Sequence, residues 1–488
     1  MKKYLLAAVI VTSGISILPG QSDADLTRST LSQNTIKGHI YFLASDELRG
    51  RQTGSAEIDI AAQYLANTFR KYGVQPVPGA VEGYFQPVML ESVQPATQLS
   101  LTIDDFTSNE LIMIKGQNTT LEKDLVFMGY GLEEDYKENI KGKIVVALAG
   151  AEGRADPNSL FEMAAVKRKM AMEKGANGLI EINALDPSTW GRFGSFFNNG
   201  KLAAKASDDG DFLHLWVRDE SGTIEKKTKK KAKGKLSISG MVKNEISAKN
   251  VVGMVEGTDP VLKNEFVIYS AHYDHIGVGR PDAKGDSIYN GARDNAVGTV
   301  TVLSAAENIA KHPTKRSALF ILFTAEEKGL LGSKWYVDHP LIPLDQAVYC
   351  FNSDNGGYND TSIATIIGLG RTTAAENIKS ACQEFGLRAM DDPSPEHGLF
   401  DRSDNVNFAM KGIPAPTFSL GFTAFDAEIL KYYHQAADNP GSLDYDYLEK
   451  FFGAYVLACR KIANDANTPF WVEGDKYHGA GKALYGVK

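Results

Sequence analysis

His272, Asp274, Asp294, the pair Glu326 and Glu327, Asp354 and His434 are the residues of this sequence best suited to hold metal and move protons. Imidazole and carboxylate without thiolate suit zinc or another borderline divalent ion. Two histidines with several carboxylates suffice for two ions if one carboxylate bridges. Two ions about 3.5–4 Å apart polarise a carbonyl and clamp the attacking and departing atoms together, which is hydrolysis without a covalent intermediate. Such a site also needs a carboxylate that binds no metal, free to take a proton from water and return it to the leaving group. Glu326 and Glu327 offer the two jobs, because consecutive residues at a strand end point in different directions. Asp274 is placed to accept from the free ring N–H of His272 and fix its tautomer.

Each of these residues alone has a plainer reading. A strand-end Asp often caps a helix, and a Glu pair favours a helix start from a solvated position. Their joint position is what argues for chemistry. Residues 266–271 (FVIYSA), 318–325 (ALFILFTA) and 347–354 (AVYCFNSD) read as buried strands, with helical periodicity over 296–312 and 330–337 between them. Apolar strands alternating with helices predict an α/β fold whose mostly parallel sheet is flanked by helices. In such a sheet the carboxyl ends of neighbouring strands share one crevice, and the residues named above fall at those ends or in following loops. Further elements are expected at 362–368, 373–385, 415–420 and 447–464. Ahead of this region, 31–43 and 57–72 show helical spacing around the loop 44–51. Between them lies a stretch, 99–247, of short β-type runs with one helix at 164–174, read as an inserted β-rich domain.

The chain has 488 residues, 43% hydrophobic and 23% charged, enough for at least one large core and against intrinsic disorder. Its net charge of −8 gives no reason to expect a polyanionic partner such as nucleic acid. The Lys-rich run 226–235 lacks interleaved aromatics and reads as a solvated hairpin or loop. Lys2 and Lys3, an apolar stretch over 4–18 and the small residues Ser22 and Ala24 read as a signal peptide, residues 1–24, leading to the periplasm or the exterior. No later segment approaches the ~20 apolar residues of a membrane span. Cys350, Cys382 and Cys459 allow at most one internal disulfide, and Cys350 reads as a small core residue. The expected division is thus 1–24, 25–98, 99–247, 248–466 and a C-terminal tail 467–488.

The motifs HYDH (272–275), NGARDNAVG (290–298), TAEEKG (324–329), NSD (352–354) and YH (433–434) resemble, in order, those of the dinuclear zinc aminopeptidases related to glutamate carboxypeptidase and the transferrin receptor. The resemblance implies the zinc-exopeptidase (phosphorylase/hydrolase-like) fold and cleavage of N-terminal residues from peptides. It makes His272 and Asp354 ligands of one Zn2+, Glu327 and His434 ligands of the other, Asp294 the bridge, Glu326 the general base and Asp274 the partner of His272. It also implies a cis peptide at Asp294–Asn295. Residues 125–131, 142–146 and 175–178 resemble a protease-associated domain. The family usually has His at Asn405 and a less polar residue at Asn355, departures expected to bear on substrate preference.

Carboxypeptidase or dipeptidase action shares these metal motifs, and Arg293 and Arg402 are candidate clamps for a free carboxylate. Single-zinc glutaminyl cyclisation is disfavoured by the second ligand set. A two-metal phosphatase is disfavoured by the lack of a phosphate-cradling glycine loop. A receptor-like relative that has lost its metals is disfavoured by the complete set of presumed ligands.

Overall fold

Strands with no polar position need cover on both faces, and the apolar strands of this chain have it. In the Phe266–His272 strand, Val267, Tyr269 and Ala271 point into a core shared with the helices Gln33–Leu43, Ala56–Tyr72, Gly298–Lys311 and Tyr445–Asn464. Phe266 and Ile268 point the other way, toward Leu331–Asp338 and Asn405–Met410. Each large side chain so buried stabilises by about 1.5–3 kcal/mol. A register slip of one residue would exchange the two faces, so the register is strongly specified.

The computed structural model describes residues 21–154, 156–205 and 212–486. They form two compact units, one from the chain up to Gln86 and from Lys249 onward, the other from Pro87–Ala248. The first unit is an α/β sandwich. Its sheet runs, in spatial order, Arg388–Asp391, Ile363–Ile367, Thr417–Leu420, Ala347–Ser353, Phe266–His272, Ser317–Phe323 and the end of Val242–Val255. Phe266–His272 is parallel to both neighbours, pairing His272 with Phe323 and Ser270 with Asn352. Three strands therefore end at one level. The antiparallel pairing of Val242–Val255 with Ser317–Phe323 and that of Ile363–Ile367 with Thr417–Leu420 make the sheet mixed.

The second unit carries an eight-stranded sheet in which Thr119–Phe127, Ile144–Leu148, Gly178–Asn183 and Leu213–Arg218 run parallel at the centre. The helix Pro157–Glu173 buries Lys167, whose Nζ donates to Glu181 at 3.0 Å and to the Leu148 carbonyl. Glu181 also accepts from the Trp216 indole and contacts His214 at 2.8 Å, so the buried charge is fully engaged.

Several boundaries differ from expectation for local reasons. The Lys-rich run is not a loop: it divides between the helix Thr223–Thr228 and the strand Ala232–Ser239, where Ala232 and Gly234 face inward and Lys233 and Lys235 outward. Periodicity was masked there by lysine at every outward position. The C-terminal residues are packed rather than trailing: Trp471 is buried and donates Nε1–H to the Gly412 carbonyl at 2.8 Å, ahead of the helix His478–Tyr485. All three cysteines are free and buried, with Cys350 in the core. Of the stretch read as a signal peptide, 1–20 lies outside the described residues. Ser22 caps the helix Asp23–Arg28, and Asp23 accepts from Arg460 Nε at 2.8 Å, so cleavage after Ala24 would remove both contacts. No helix among the described residues is long and apolar enough to cross a membrane.

Candidate metal centre

The three strand ends that share one level carry the chemistry. His272 is the last residue of its strand, Asp354 follows Ala347–Ser353, and the Ser317–Phe323 strand turns at Ala325. Ala325 adopts a left-handed φ of 57°, and beyond it the two glutamates diverge. Glu326 Oε2 lies 4.0 Å from His272 Nε2, while Glu327 Oε2 lies 3.3 Å from His434 Nε2. Asp294 sits in the tight turn Ala292–Val297 before the helix Gly298–Lys311, and its peptide bond to Asn295 is cis. Its carboxylate is split between the histidines: Oδ1 is 3.4 Å from His272 Nε2 and Oδ2 is 3.1 Å from His434 Nε2. His272 Nε2 is also 3.2 Å from Asp354 Oδ1. All the acidic and imidazole residues expected at the site are thus brought together.

These separations can be tested against an ion. Two ligands bound tetrahedrally at the 2.0–2.1 Å of zinc–nitrogen or zinc–oxygen bonds stand about 3.3 Å apart. The pairs His272–Asp354, His272–Asp294, His434–Asp294 and His434–Glu327, at 3.1–3.4 Å, fit that edge. Glu326 at 4.0 Å does not, although it lies close enough to be grouped with His272 and Asp354.

Burial would raise Asp294, but its contacts with His272 and His434 outweigh it and hold the carboxyl well below the usual range. Glu327 is likewise drawn down, to about 2, by His275 and His434 against burial and the charge of Asp294. The histidines respond in the opposite sense. Burial would lower His434, yet Asp294 and Glu327 lift it to about 10, and the surrounding carboxylates hold His272 well above its ordinary value. Metal and protons compete for such imidazoles and carboxylates, so loading an ion would release protons. Glu326 moves the other way from Glu327: burial first, then the charges of Asp354, Asp404 and Glu327, push it well above the carboxylate range.

Asp274 does a different job from the one expected. Its Oδ1 is 3.7 Å from His272 Nδ1, beyond hydrogen-bond reach, and that nitrogen instead faces the Asp274 backbone carbonyl at 3.2 Å. The carboxylate accepts from the Glu326 N–H at 3.1 Å and from Thr53 Oγ1 at 3.1 Å, and Thr53 in turn accepts from the Ala325 N–H. Asp274 and Thr53 therefore fix the turn that aims Glu326.

Three further residues support the site, of which only His275 lies in one of the motifs named above. Asp438 accepts from the backbone N–H groups of Arg293 and Asp294 and pairs with the Arg293 guanidinium at 3.0 Å. His275 lies 2.7 Å from Glu327 Oε1. Buried Arg51 donates to the carbonyls of Tyr273, Leu43, Asn290 and Gly291, tying together the loops that carry His272 and Asp294. Arg51→Met strands those acceptors at about 1 kcal/mol or more each, so thermal unfolding of the full chain is expected to show a loss of at least about 3 kcal/mol. An unchanged midpoint would remove Arg51 from this role.

Asn405 and Asn355 are both buried. Asn405 donates to the carbonyls of Phe400 and Ala415, and Asn355 donates to Asn295 and accepts from the Leu420 N–H. Asn405 thus ties two stretches of backbone, and Asn355 ties Leu420 to the Asn295 side chain. Arg293 is pinned by Asp438 and Ser442 and stacks on Tyr432 at 3.6 Å, which leaves no clamp for a free carboxylate. Arg402 is different. It has no side-chain partner among the described residues and lines a cavity of about 100 Å³ beside Asp354, walled by Ile367, Leu399, Phe422, Phe425 and Tyr433.

A sheet that gathers carboxylates and imidazoles at its strand ends, with spacings that suit two ions sharing one aspartate, defines a metallohydrolase. Residues 250–458 match Peptidase family M28. Aminopeptidase YwaD of Bacillus subtilis is 25% identical over 460 residues, 90% of this chain and 89% of the relative. A probable leucine aminopeptidase 2 of Aspergillus oryzae is 23% identical over 96% of this chain and 91% of its own length. The fold is that of an aminopeptidase from Aneurinibacillus sp. strain AM-1, at a TM-score of 0.53 and 21% identity, covering 92% of this chain and 97% of that one.

Proposed function

We propose that the chain is an exported aminopeptidase working with two zinc ions, His272 and Asp354 holding one, Glu327 and His434 the other, and Asp294 both. The observation that carries this reading is the division of the Asp294 carboxylate, one oxygen toward each histidine. Zinc, when bound, supplies Lewis acidity for the scissile carbonyl and makes water acidic enough to lose a proton near neutrality. Glu326, aimed by Asp274 and Thr53 and too far from His272 to share its ion, takes that proton and delivers it to the departing amine. Asp274 acts in this scheme through the turn it holds. The apolar cavity beside Asp354 takes the side chain of the residue being released, and its walls suit an apolar one.

The names of the full-length relatives support release of N-terminal residues, and the pinned Arg293 removes one of the two cations a carboxypeptidase would use. Arg402 favours a second reading, in which a dipeptide or C-terminal carboxylate is bound. Comparing hydrolysis of leucyl anilide with that of the same peptide bond behind a blocked N-terminus separates them. Preference for the blocked peptide would defeat the aminopeptidase assignment. We read the stretch 99–247, within the unit Pro87–Ala248, as a protease-associated domain on the resemblance given above, and residues 1–24 as a signal peptide on their paired lysines, apolar stretch and small residues.

A further inference from the structure

We infer that His275 is a positioning residue for the second ion: it holds one oxygen of Glu327 so that only the other is offered to metal, and this contact sets how tightly the His434-side ion is bound. The inference rests on the two-ion reading above. The two oxygens of Glu327 face different imidazoles, Oε1 toward His275 Nδ1 at 2.7 Å and Oε2 toward His434 Nε2 at 3.3 Å. The first distance is a hydrogen bond to a carboxylate; the second is a spacing that would suit two residues holding one ion. His275 therefore does not join the ion as a ligand, although it is grouped by proximity with Asp294 and Glu327.

For this contact Nδ1 donates to the carboxylate, and the other ring nitrogen, Nε2, is buried with no hydrogen-bond partner. The ring cannot turn away. Gly291 packs against it so closely that a Cβ there would stand 2.6 Å from two ring carbons, and Gly291 itself has a φ of +60°. The His275 N–H donates to the Arg51 carbonyl, and the ring meets His434 edge-on with centroids 5.7 Å apart. A carboxylate without this partner is free to rotate or to bind through both oxygens, and losing such an outer partner typically costs 10–100-fold in metal affinity.

The test uses the full chain stripped of metal and titrated with Zn2+ against a chromophoric chelator, and with Co2+ followed by visible absorption. Wild type is expected to bind two ions. His275→Ala is expected to keep one ion at wild-type affinity and weaken the other about 10–100-fold, with a changed Co2+ spectrum for that ion alone. His275→Asn, whose amide N–H reaches the place of Nδ1–H, is expected to recover most of that loss. Wild-type affinity for both ions in His275→Ala overturns the inference. So does failure of His275→Asn to improve on His275→Ala, since the ring itself would then be what the ion needs. A wild type that binds fewer than two ions overturns the two-zinc reading, and the inference falls with it.

Discussion

Glu326→Gln is expected to leave both ions in place and lower kcat by about 10²–10⁴-fold, the range over which a positioned proton acceptor contributes. Glutamine keeps the size of the side chain and the backbone N–H that Asp274 holds, so the turn after Ala325 is undisturbed. What it removes is the ability to take a proton. Burial and neighbouring carboxylates raise Glu326 in the metal-free chain, and two bound cations would pull it back toward the working range of a base. The loss should fall on kcat rather than KM, because the contact is realised only as the proton moves. Metal analysis beside turnover of an aminoacyl anilide measures both halves of the expectation. A variant with near-normal kcat would take Glu326 out of the mechanism.

Asp294→Asn is expected to do the opposite, emptying the site before any chemistry is tested. One oxygen of Asp294 faces His272 and the other His434, so the amide replaces an anionic ligand of one ion with an N–H2 and removes the shared negative charge from both. Loss of an outer partner alone costs 10–100-fold in metal affinity, and loss of a direct bridging ligand should exceed about 10²-fold at both positions. The fold should survive, because Asp438 holds the backbone N–H of residue 294 rather than its side chain. The result that counts against a bridge is one ion retained at full affinity.

How far these residues could be read from sequence depends on what each one touches. His272, Asp354, Glu326 and Glu327 were legible because they sit at the ends of strands whose largely apolar composition marks them as neighbours in one buried sheet. His434 lies in a loop at a left-handed φ of 54°, where periodicity says nothing, and only its motif marked it. The sequence pointed Asp274 at His272, whereas the carboxylate reaches Thr53 and a backbone N–H; adjacency along the chain favoured the nearer partner over one more than two hundred residues away. Arg51, Asp438 and His275 work through carbonyls, amides or the far oxygen of a ligand, and no residue type announces such contacts. Asn405 and Asn355, expected to bear on substrate preference, are both buried, and their contacts run to Phe400, Ala415, Leu420 and the Asn295 side chain.

Arg51 and Thr53 precede the Pro87–Ala248 excursion, whereas Tyr273, Asp274, Asn290, Gly291 and Ala325, which they steady, follow it. Expressing the stretch 250–458 alone should therefore yield a protein lacking the clasp beneath its own histidines. On the ribosome the order is equally constrained. The amino-terminal helices must wait, their apolar faces uncovered, while an entire second fold emerges, and only when Asp438 has been synthesised can hydrolytic competence arise.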